Sequence, residues 1–394
     1  MANRPKEIRV HLETVTPLFL AGADPRGAPE LRAASVRGAL RYWLRALLGG
    51  VMGDQNLDDL RKAEAAVFGS TEAASPVVVR IQSQAIQKIS FSQLAQWDQG
   101  KRAYQKPGIA YLFFAARKTE QEPERSAIQA GTSFQLILSE RAGISAETAL
   151  HRAYAALWLL IHLGGLGARA RRGAGGVQAT QVQGQPDNLP SLTIRATSPE
   201  ELQKELSDGL QKLRSNIPSE GSAKISNPSA FDILHLEACK IWVINRTFDS
   251  WVEALDAIGR AMQQFRNQRE PDYSNVKSAV QGASLGQPVE RAAFGLPIVF
   301  YYRSLGGLKG TLKGSNHDRR ASPLVIRVVR LANNRFALVL TQFYAELLPP
   351  SERLLLERGR GGTTTAGLPN LGLIDAFLQD LDQKIAPRLE VTGW

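Results

Sequence analysis

Apolar and polar residues alternate near the start of the chain in the way that a half-buried β-strand requires. Ile8, Val10 and Leu12 alternate with polar residues over positions 7–14, and this period of two predicts a strand with one face in a core. Similar signals predict four further strands in the first half of the chain, at 77–81, 109–115, 133–138 and 177–182.

Apolar residues at helical spacing predict two helices between these strands. The first opens at Ser35, a residue type that favours the N-cap position. Its apolar stripe consists of Val36, Leu40, Trp43, Leu44 and Leu47. The second begins near Ser145 and would bury Leu150, Tyr154, Leu157 and Ile161. The order is therefore β-α-β-β-α-β with one extra strand or hairpin, which is the ferredoxin-like pattern.

The second half of the chain predicts a looser copy of this order. Ser198, followed by Pro199 and two glutamates, predicts a helix that runs to about Arg214. The polar segment 215–229 is interpreted as the interdomain connection. Beyond it, strands are predicted at 231–244, 296–302, 324–331 and 336–342, and helices at 251–268 and 373–385.

These elements predict the α+β class, with two ferredoxin-like βαββαβ domains that carry insertions. Residues 1–190 are expected to form the first domain, 191–230 a helix and linker, and 231–394 the second domain. Two domains are also what a chain of 394 residues favours, because single hydrophobic cores stop growing at about 250–300 residues.

The composition is that of a globular protein with an excess of positive charge. Lysine and arginine number 48 against 37 acidic residues, a formal net charge of +11, and such a surplus attracts nucleic acid or anionic membranes. The longest apolar run, 153–163, is too short to span a membrane. The residues before the first strand do not have the hydrophobic region of a secretory signal, and Cys239 is the only cysteine. We therefore expect a cytoplasmic protein without a metal site, a cofactor or a membrane partner.

The segment 164–176, GGLGARARRGAGG, combines six glycines with Arg169, Arg171 and Arg172 and has no acidic residue. Glycine lets a backbone adopt positive φ and approach another molecule closely. Guanidinium groups match phosphate oxygens. The segment predicts a loop that embraces a polyanionic backbone, and the alternative is a mobile, solvated basic turn.

The first predicted helix carries a second set of cations. Arg37, Arg41 and Arg45 recur every four residues, so they form one stripe opposite the apolar face. No acidic residue at intervening positions neutralises them. Gly38 costs about 1 kcal/mol relative to alanine in a helix, which indicates that something approaches the backbone there. A solvated helix face is the alternative interpretation of the stripe.

A third basic segment, 306–320, lies between two predicted strands and is expected to be a long loop. Lys309, Lys313, Arg319 and Arg320 outnumber its single acid, Asp318. His317, beside that aspartate, is the one histidine placed like a general base for RNA cleavage. The alternative, which the sequence favours, is an exposed loop histidine with no role.

Four stretches together resemble the RAMP superfamily of CRISPR effector subunits, above all the first subunits of type III-B (Cmr) complexes. They are TPLFLAGADP from Thr16, ELRAASVRGALRYWLRALLGG from Glu30, GGLGARARRGAGGV from Gly164, and FGLPIVFYY with RRASPLVIRV in the second half. The resemblance implies two ferredoxin-like, RRM-related domains. It also implies a place near the end of the complex that holds the 3′ part of the crRNA and its paired target, while other subunits cut the RNA.

The resemblance also assigns site residues by position. The first-helix motif matches Ser35, Arg37, Gly38 and Arg41. The glycine-rich loop of the family matches Gly165, Gly167, Arg169, Arg171, Arg172, Gly173 and Gly175, and its late basic pair matches Arg319 and Arg320. Ala174 stands where family members often carry a bulky or aromatic residue.

The sequence therefore predicts a non-catalytic RNA-binding subunit whose partners are crRNA, target RNA and other RAMP subunits. Arg37, Arg41, Arg45, Arg169, Arg171 and Arg172 would each neutralise a phosphate in one shared groove, and Lys309, Lys313, Arg319 and Arg320 would add to it. The alternatives are a metal-independent RAMP endoribonuclease that processes repeat RNA, and a scaffold for an acidic protein partner.

Overall fold

The computed structural model describes residues 6–83, 85–217 and 223–394. The helices are α1 (Ala33–Met52), α2 (Leu57–Phe68), α3 (Phe91–Ala95), α4 (Pro107–Leu112), α5 (Glu147–Leu163), α6 (Pro199–Ser215), α7 (Trp251–Asn267), α8 (Asp272–Val280) and α9 (Leu373–Lys384). The strands of the first half are β1 (Glu7–Thr14), β2 (Val77–Ser83), β3 (Lys88–Ser90), β4 (Trp97–Asp98), β5 (Ala103–Tyr104), β6 (Ser126–Ile128), β7 (Ser133–Glu140) and β8 (Val177–Gln183). Those of the second half are β9 (Cys239–Ile244), β10 (Ile298–Tyr302), β11 (Leu308–Gly314), β12 (Leu324–Arg330), β13 (Phe336–Phe343), β14 (Leu354–Arg358), β15 (Thr363–Ala366) and β16 (Arg388–Glu390).

The first half contains an antiparallel sheet in the order β2-β7-β1-β8. Helix α1 connects β1 to β2, and α5 connects β7 to β8, so the chain follows the ferredoxin-like βαββαβ order. Strand β1 alternates buried and half-buried residues along its length. An insertion between β2 and β7 contains α3, α4 and four short strands.

The second half repeats this order in the sheet β12-β13-β9-β16, with α7 and α9 as the connecting helices. A further sheet, β10-β11-β14-β15, is inserted into it. The predicted fold class is thereby confirmed, whereas the domain limits near 190 and 230 stay a prediction. Part of the predicted linker, 218–222, lies outside the described residues.

The two halves share a hydrophobic core. One cluster of buried side chains contains Val10 of β1, Leu160 of α5 and Val339 of β13. Helix α5 packs against β12 and β13 of the second half as well as against its own sheet. The segment that follows α5 is therefore held against the second half of the chain. No helix in the described ranges is long and apolar enough to cross a membrane.

One predicted helix start and one predicted strand of the first half are wrong. Helix α1 begins at Ala33, after Arg32, so Ser35 lies inside its first turn and is not the N-cap. Alanine has the highest helix propensity, and Ala33 and Ala34 extend the helix toward the N-terminus. The strand predicted at 109–115 is the helix α4 followed by a short 3₁₀ turn, because Pro107 occupies the first helical position.

Two predictions for the second half also need correction. The loop expected at 306–320 contains the strand β11, which pairs with both β10 and β14. Its place between two predicted strands favours a loop, but Gly310 faces inward and packs against Val280. The strand expected at 231–244 is shorter and begins only at Cys239.

Candidate nucleic-acid interface

The glycine–arginine loop, residues 164–176, folds back onto its own chain. Gly175 has φ +67°, and a Cβ there would lie 1.9 Å from the carbonyl oxygen of Leu166. Gly173 has φ +83° and packs against Leu255. Gly165 and Gly167 likewise face backbone carbonyls of the chain at less than 3 Å from an added Cβ. The glycines are therefore required by the loop's own packing, rather than by the approach of another molecule.

The three loop arginines tie the loop to other parts of the chain. Arg169 Nε donates to the carbonyl oxygen of Leu112 at 2.7 Å. Arg171 donates to the carbonyl oxygen of Ser322 at 2.5 Å, and Arg172 to that of Phe294 at 2.9 Å. A mobile, solvated turn is excluded, because all three side chains are at least partly buried and bonded.

Asp232 joins this loop to helix α1 and to the second half. Its carboxylate lies 2.6 Å from Arg171 Nη2 and 3.0 Å from Arg320 Nη2, and it accepts a hydrogen bond from the hydroxyl of Tyr42. The Arg171 guanidinium also lies 5.0 Å from the centroid of the Tyr42 ring. Burial raises the pKa of Asp232, but the two guanidinium groups outweigh burial and hold that pKa below its usual value. Arg171 and Arg320 are therefore ion-paired within the protein.

A second group of arginines is buried without an acidic partner. Arg172 is 8% exposed, and its other hydrogen-bond partner is the sulfur of Met262. Burial lowers the pKa of Arg172 to about 9, with further lowering by the positive charges of Arg169 and Arg266. Burial also lowers the pKa of Arg169 to about 10. Buried charges without a counter-ion are unfavourable, so an anion bound beside them would relieve this cost.

These side chains line one cavity of about 600 Å³, which we call the arginine cleft. Its arginines are Arg169, Arg171, Arg172, Arg266, Arg319 and Arg320. Among its lining residues in the described chain there is no aspartate or glutamate. Five of the six arginines were expected from the sequence. Arg266 was missed because it lies on the amphipathic helix α7, where a lone arginine is typical of a solvated face.

The arginine stripe of α1 is largely neutralised. Glu64 of α2 forms ion pairs with both Arg41 and Arg45, the latter at 3.0 Å, and the Glu64 side chain is only 5% exposed. The expectation of an unneutralised stripe is therefore wrong, because the acid comes from another helix. Arg37 is exposed, and none of the ion pairs among the described residues includes it.

One face of α1 leads to the arginine cleft. Ser35, Gly38 and Tyr42 recur at spacings of three and four residues and so share one face. Tyr42 contacts Arg171 of the cleft. A Cβ added to Gly38 would have no heavy atom within 4 Å, so nothing in the described chain requires a glycine there.

The remaining predicted residues lie outside the cleft. Lys313 pairs with Asp318 at 3.2 Å and with Glu357 at 2.9 Å, while Lys309 is exposed on the same strand. His317 is 67% exposed, and its Nδ1 is bonded to the buried carboxylate of Glu352. No group of three or more histidine, cysteine or acidic side chains within the described ranges is arranged to hold a metal ion.

Comparison with known proteins identifies the relatives of this chain. A family model described as the RAMP superfamily matches residues 11–178. The CRISPR system Cmr subunit Cmr1-2 of Pyrococcus furiosus is 35% identical over 178 residues, which are 44% of this chain and 94% of that protein. Subunit Cmr1-1 of the same organism is 24% identical over 341 residues, 86% of this chain and 88% of that protein.

Solved structures share the fold. The crystal structure of Cmr1 from Pyrococcus furiosus in its apo form has a TM-score of 0.62 at 20% identity, covering 98% of this chain and 99% of that one. A chain in the cryo-EM structure of the type III-B Cmr-beta complex bound to cognate target RNA has a TM-score of 0.55 at 12% identity. That match covers 96% of this chain and 99% of the other.

Proposed function

This chain belongs to the RAMP superfamily, among the Cmr1 subunits of CRISPR systems, and on this premise we propose that it binds RNA along the arginine cleft. The observation that carries the proposal is the convergence of six arginines on one cavity that no acidic side chain of the described chain lines. Phosphate groups are the polyanionic ligand that planar guanidinium groups match best.

The RNA would be crRNA, in its 3′ region, or target RNA, held beside other RAMP subunits of a type III-B complex. Support comes from the structural relative whose complex is bound to cognate target RNA. Contacts to phosphates fix register but carry no sequence information, so guide–target pairing would supply specificity. Arg37 and the open backbone at Gly38 would extend the contact along α1.

Binding rather than cleavage is the proposed role of the cleft. General acid–base catalysis requires a side chain that exchanges protons near neutral pH, most often histidine. The titratable side chains of the described cleft lining are arginines alone. We therefore propose that cleavage in the complex is carried by other subunits.

The test is the salt dependence of binding of the full chain to a short single-stranded RNA, followed by fluorescence anisotropy. Arg171 and Arg320 are already paired with Asp232, so five phosphate contacts, from Arg37 and the other four cleft arginines, give a log–log slope of about −3.5. Arg37→Ala combined with Arg319→Ala should flatten the slope by about 1.4. Both residues are exposed and outside the ion pairs of the described chain, so the fold should be unaffected.

A matched control removes the same formal charge elsewhere. Arg61 and Arg360 are exposed and do not line the cleft. Arg61→Ala combined with Arg360→Ala should leave the slope unchanged. If both double variants flatten the slope equally, the cleft is not the binding site. If the wild-type chain does not bind RNA at moderate salt, a scaffold for an acidic protein is the better explanation.

RNA cleavage at His317 is a second candidate function. One observation favours it: Glu352 holds Nδ1 of the exposed imidazole, an arrangement that orients a general base. Incubation of the chain with labelled repeat RNA in EDTA tests it. A defined cut that is lost in His317→Ala would support cleavage, and intact RNA would leave binding as the function.

A further inference from the structure

A second cavity, of about 420 Å³, opens beside the arginine cleft, and we call it the aromatic pocket. Arg169, Arg172 and Arg266 line both cavities, so the two cavities are neighbours. The pocket is also lined by the aromatic rings of Tyr104, Tyr111 and Phe114. A ligand that follows the cleft therefore meets an aromatic surface directly beside the guanidinium groups of the cleft.

The aromatic wall is held in place by packing. Helix α4, which carries Tyr111, touches α7 where Gly108 faces Gly259, and the Gly108 N–H donates to Asp256 Oδ1 at 2.8 Å. Tyr104 makes edge-to-face contacts with Phe91 and Trp97. The pocket is therefore formed before any ligand arrives, which lowers the entropic cost of binding.

Phe114 lines this pocket and is also exposed to solvent. The residue is 51% exposed, which is unusual for phenylalanine. The Arg117 guanidinium lies 4.0 Å from its ring centroid. An exposed aromatic ring supported by a cation is a platform on which a nucleobase can stack.

Two amide side chains complete the rim. Gln263 and Asn267 lie one turn apart on α7, and both line the pocket. Each amide offers donors and an acceptor, the groups that pair with the polar edges of nucleobases. The Tyr111 hydroxyl accepts a hydrogen bond from Arg266 Nη1 at 2.8 Å, while Arg266 Nε is buried without a partner in the described chain.

We propose that the aromatic pocket takes the base of one unpaired RNA nucleotide. The base stacks on Phe114 and Tyr111, its polar edge meets Gln263 and Asn267, and its phosphate lies against the arginines shared with the cleft. This inference rests on the proposed function, because it requires RNA to lie in the cleft. An uncharged peptide or an uncharged lipid would leave the three shared guanidinium groups without an anion, since the described pocket lining has no aspartate or glutamate.

The experiment uses the full chain and short single-stranded RNAs of uridines in which one position is 2-aminopurine. The fluorescence of 2-aminopurine falls when the base stacks, so moving it along the RNA finds the position that enters the pocket. For the wild-type chain we expect one position at which fluorescence falls on binding. Phe114→Ala should abolish this fall and weaken binding by about 5-fold to 150-fold, the effect of one stacked base.

Three further variants make the result specific. Phe114→Trp keeps an aromatic ring and should retain the fall in fluorescence. Tyr301→Ala removes an aromatic residue that is 54% exposed but lines neither cavity, and it should change nothing. Gln263→Ala combined with Asn267→Ala should retain stacking while reducing the difference in affinity among the four bases at that position.

The outcomes separate this inference from the proposed function. If RNA binds with a steep salt slope but no position is quenched, or if Phe114→Ala retains the quench, the pocket does not take a base and the cleft proposal stands. If the wild-type chain binds no RNA, the proposed function fails and this inference with it.

Discussion

The glycine–arginine loop and the first turns of α1 carry the same residue types but use them differently. In the loop, Gly175 has a backbone oxygen where a side chain would begin, and Arg171 is paired with Asp232. In α1, Gly38 faces open space, and Arg37 is outside the ion pairs of the described chain. The loop therefore forms the wall of a site, whereas α1 presents groups that are available to a ligand.

Basic, glycine-rich segments therefore have two separable roles in this protein. Residues that hold a cleft open are required for folding, and their loss lowers stability and binding together. Residues with no partner in the chain can be changed without a loss of stability, so their effect on binding is direct. Variants of the loop should therefore lose stability and RNA binding together, whereas variants of the residues without a partner in α1 should lose RNA binding alone.

The largest effect is expected at the junction of the two regions, in Asp232→Asn. This change removes the partner of Arg171 and Arg320, and breaking a buried ion pair costs about 3–5 kcal/mol. Urea denaturation measures it. The exposed Asp58→Asn should cost less than about 1 kcal/mol, as expected for a surface pair. Equal effects of the two variants would contradict the structural role of Asp232.

The same carboxylate predicts a pH dependence. The folded-state pKa of Asp232 is lower than its unfolded value, which is about 3.9. The ionised group therefore stabilises the fold fully above the unfolded pKa, and this stabilisation is lost as the pH falls toward the folded pKa. The free energy of unfolding should decline less steeply below about pH 4 in Asp232→Asn than in the wild type.

The next largest loss of stability is expected from substitution of a loop glycine. Gly175→Ala places a Cβ against the Leu166 carbonyl and also imposes positive φ on alanine. Gly131 has φ +87° with nothing within 4 Å of an added Cβ, so Gly131→Ala isolates the φ cost of about 1–2 kcal/mol. Gly175→Ala should lower the free energy of unfolding by about 2 kcal/mol more than the control. Similar values would mean that the loop is not packed as described.

The third effect compares two arginines of one stripe. Arg41→Ala leaves the buried Glu64 with one partner fewer, which should cost about 1–3 kcal/mol of stability. Arg37→Ala should change stability by less than about 0.5 kcal/mol but flatten the RNA salt slope by about 0.7. A larger loss of stability in Arg37→Ala, with the flatter salt slope in Arg41→Ala, would contradict the distinction between the two residues.

The smallest effect has opposite signs for stability and binding. Gly38→Ala should raise the free energy of unfolding by about 1 kcal/mol, because alanine favours a helix and the site is open. RNA affinity should fall, because a methyl group then separates the ligand from the backbone. Unchanged affinity would show that no ligand approaches α1 at this turn.

Elements with strong periodicity could be predicted from the sequence. Strand β1 at Glu7–Thr14 and helix α6 from Pro199 follow directly from alternation and capping residues. The ion pairs could not be predicted, because Glu64 lies 23 residues from Arg41 along the chain. Pairing of this kind depends on how α2 packs against α1, which local patterns do not encode.

The site could be predicted only in part, because the contacts between distant segments are not encoded locally. Composition pointed to the arginines of 164–176 and 306–320, but it could not distinguish Arg171, which is ion-paired, from Arg319, which is exposed. Arg266 and Phe114 carry no motif, and only the packing of α4 on α7 brings them to one cavity. A search for lone arginines on helix faces near predicted insertions would have found Arg266 among many others.

Photo-crosslinking shows where on the chain RNA lies. The full chain is bound to single-stranded RNA that contains 4-thiouridine, irradiated and digested, and the crosslinked peptides are identified by mass spectrometry. If RNA lies in the arginine cleft, crosslinks are expected in 107–114, 263–267 and 294–299, which line the two cavities. Crosslinks confined to surfaces away from these segments, with none inside them, would contradict this location of the RNA.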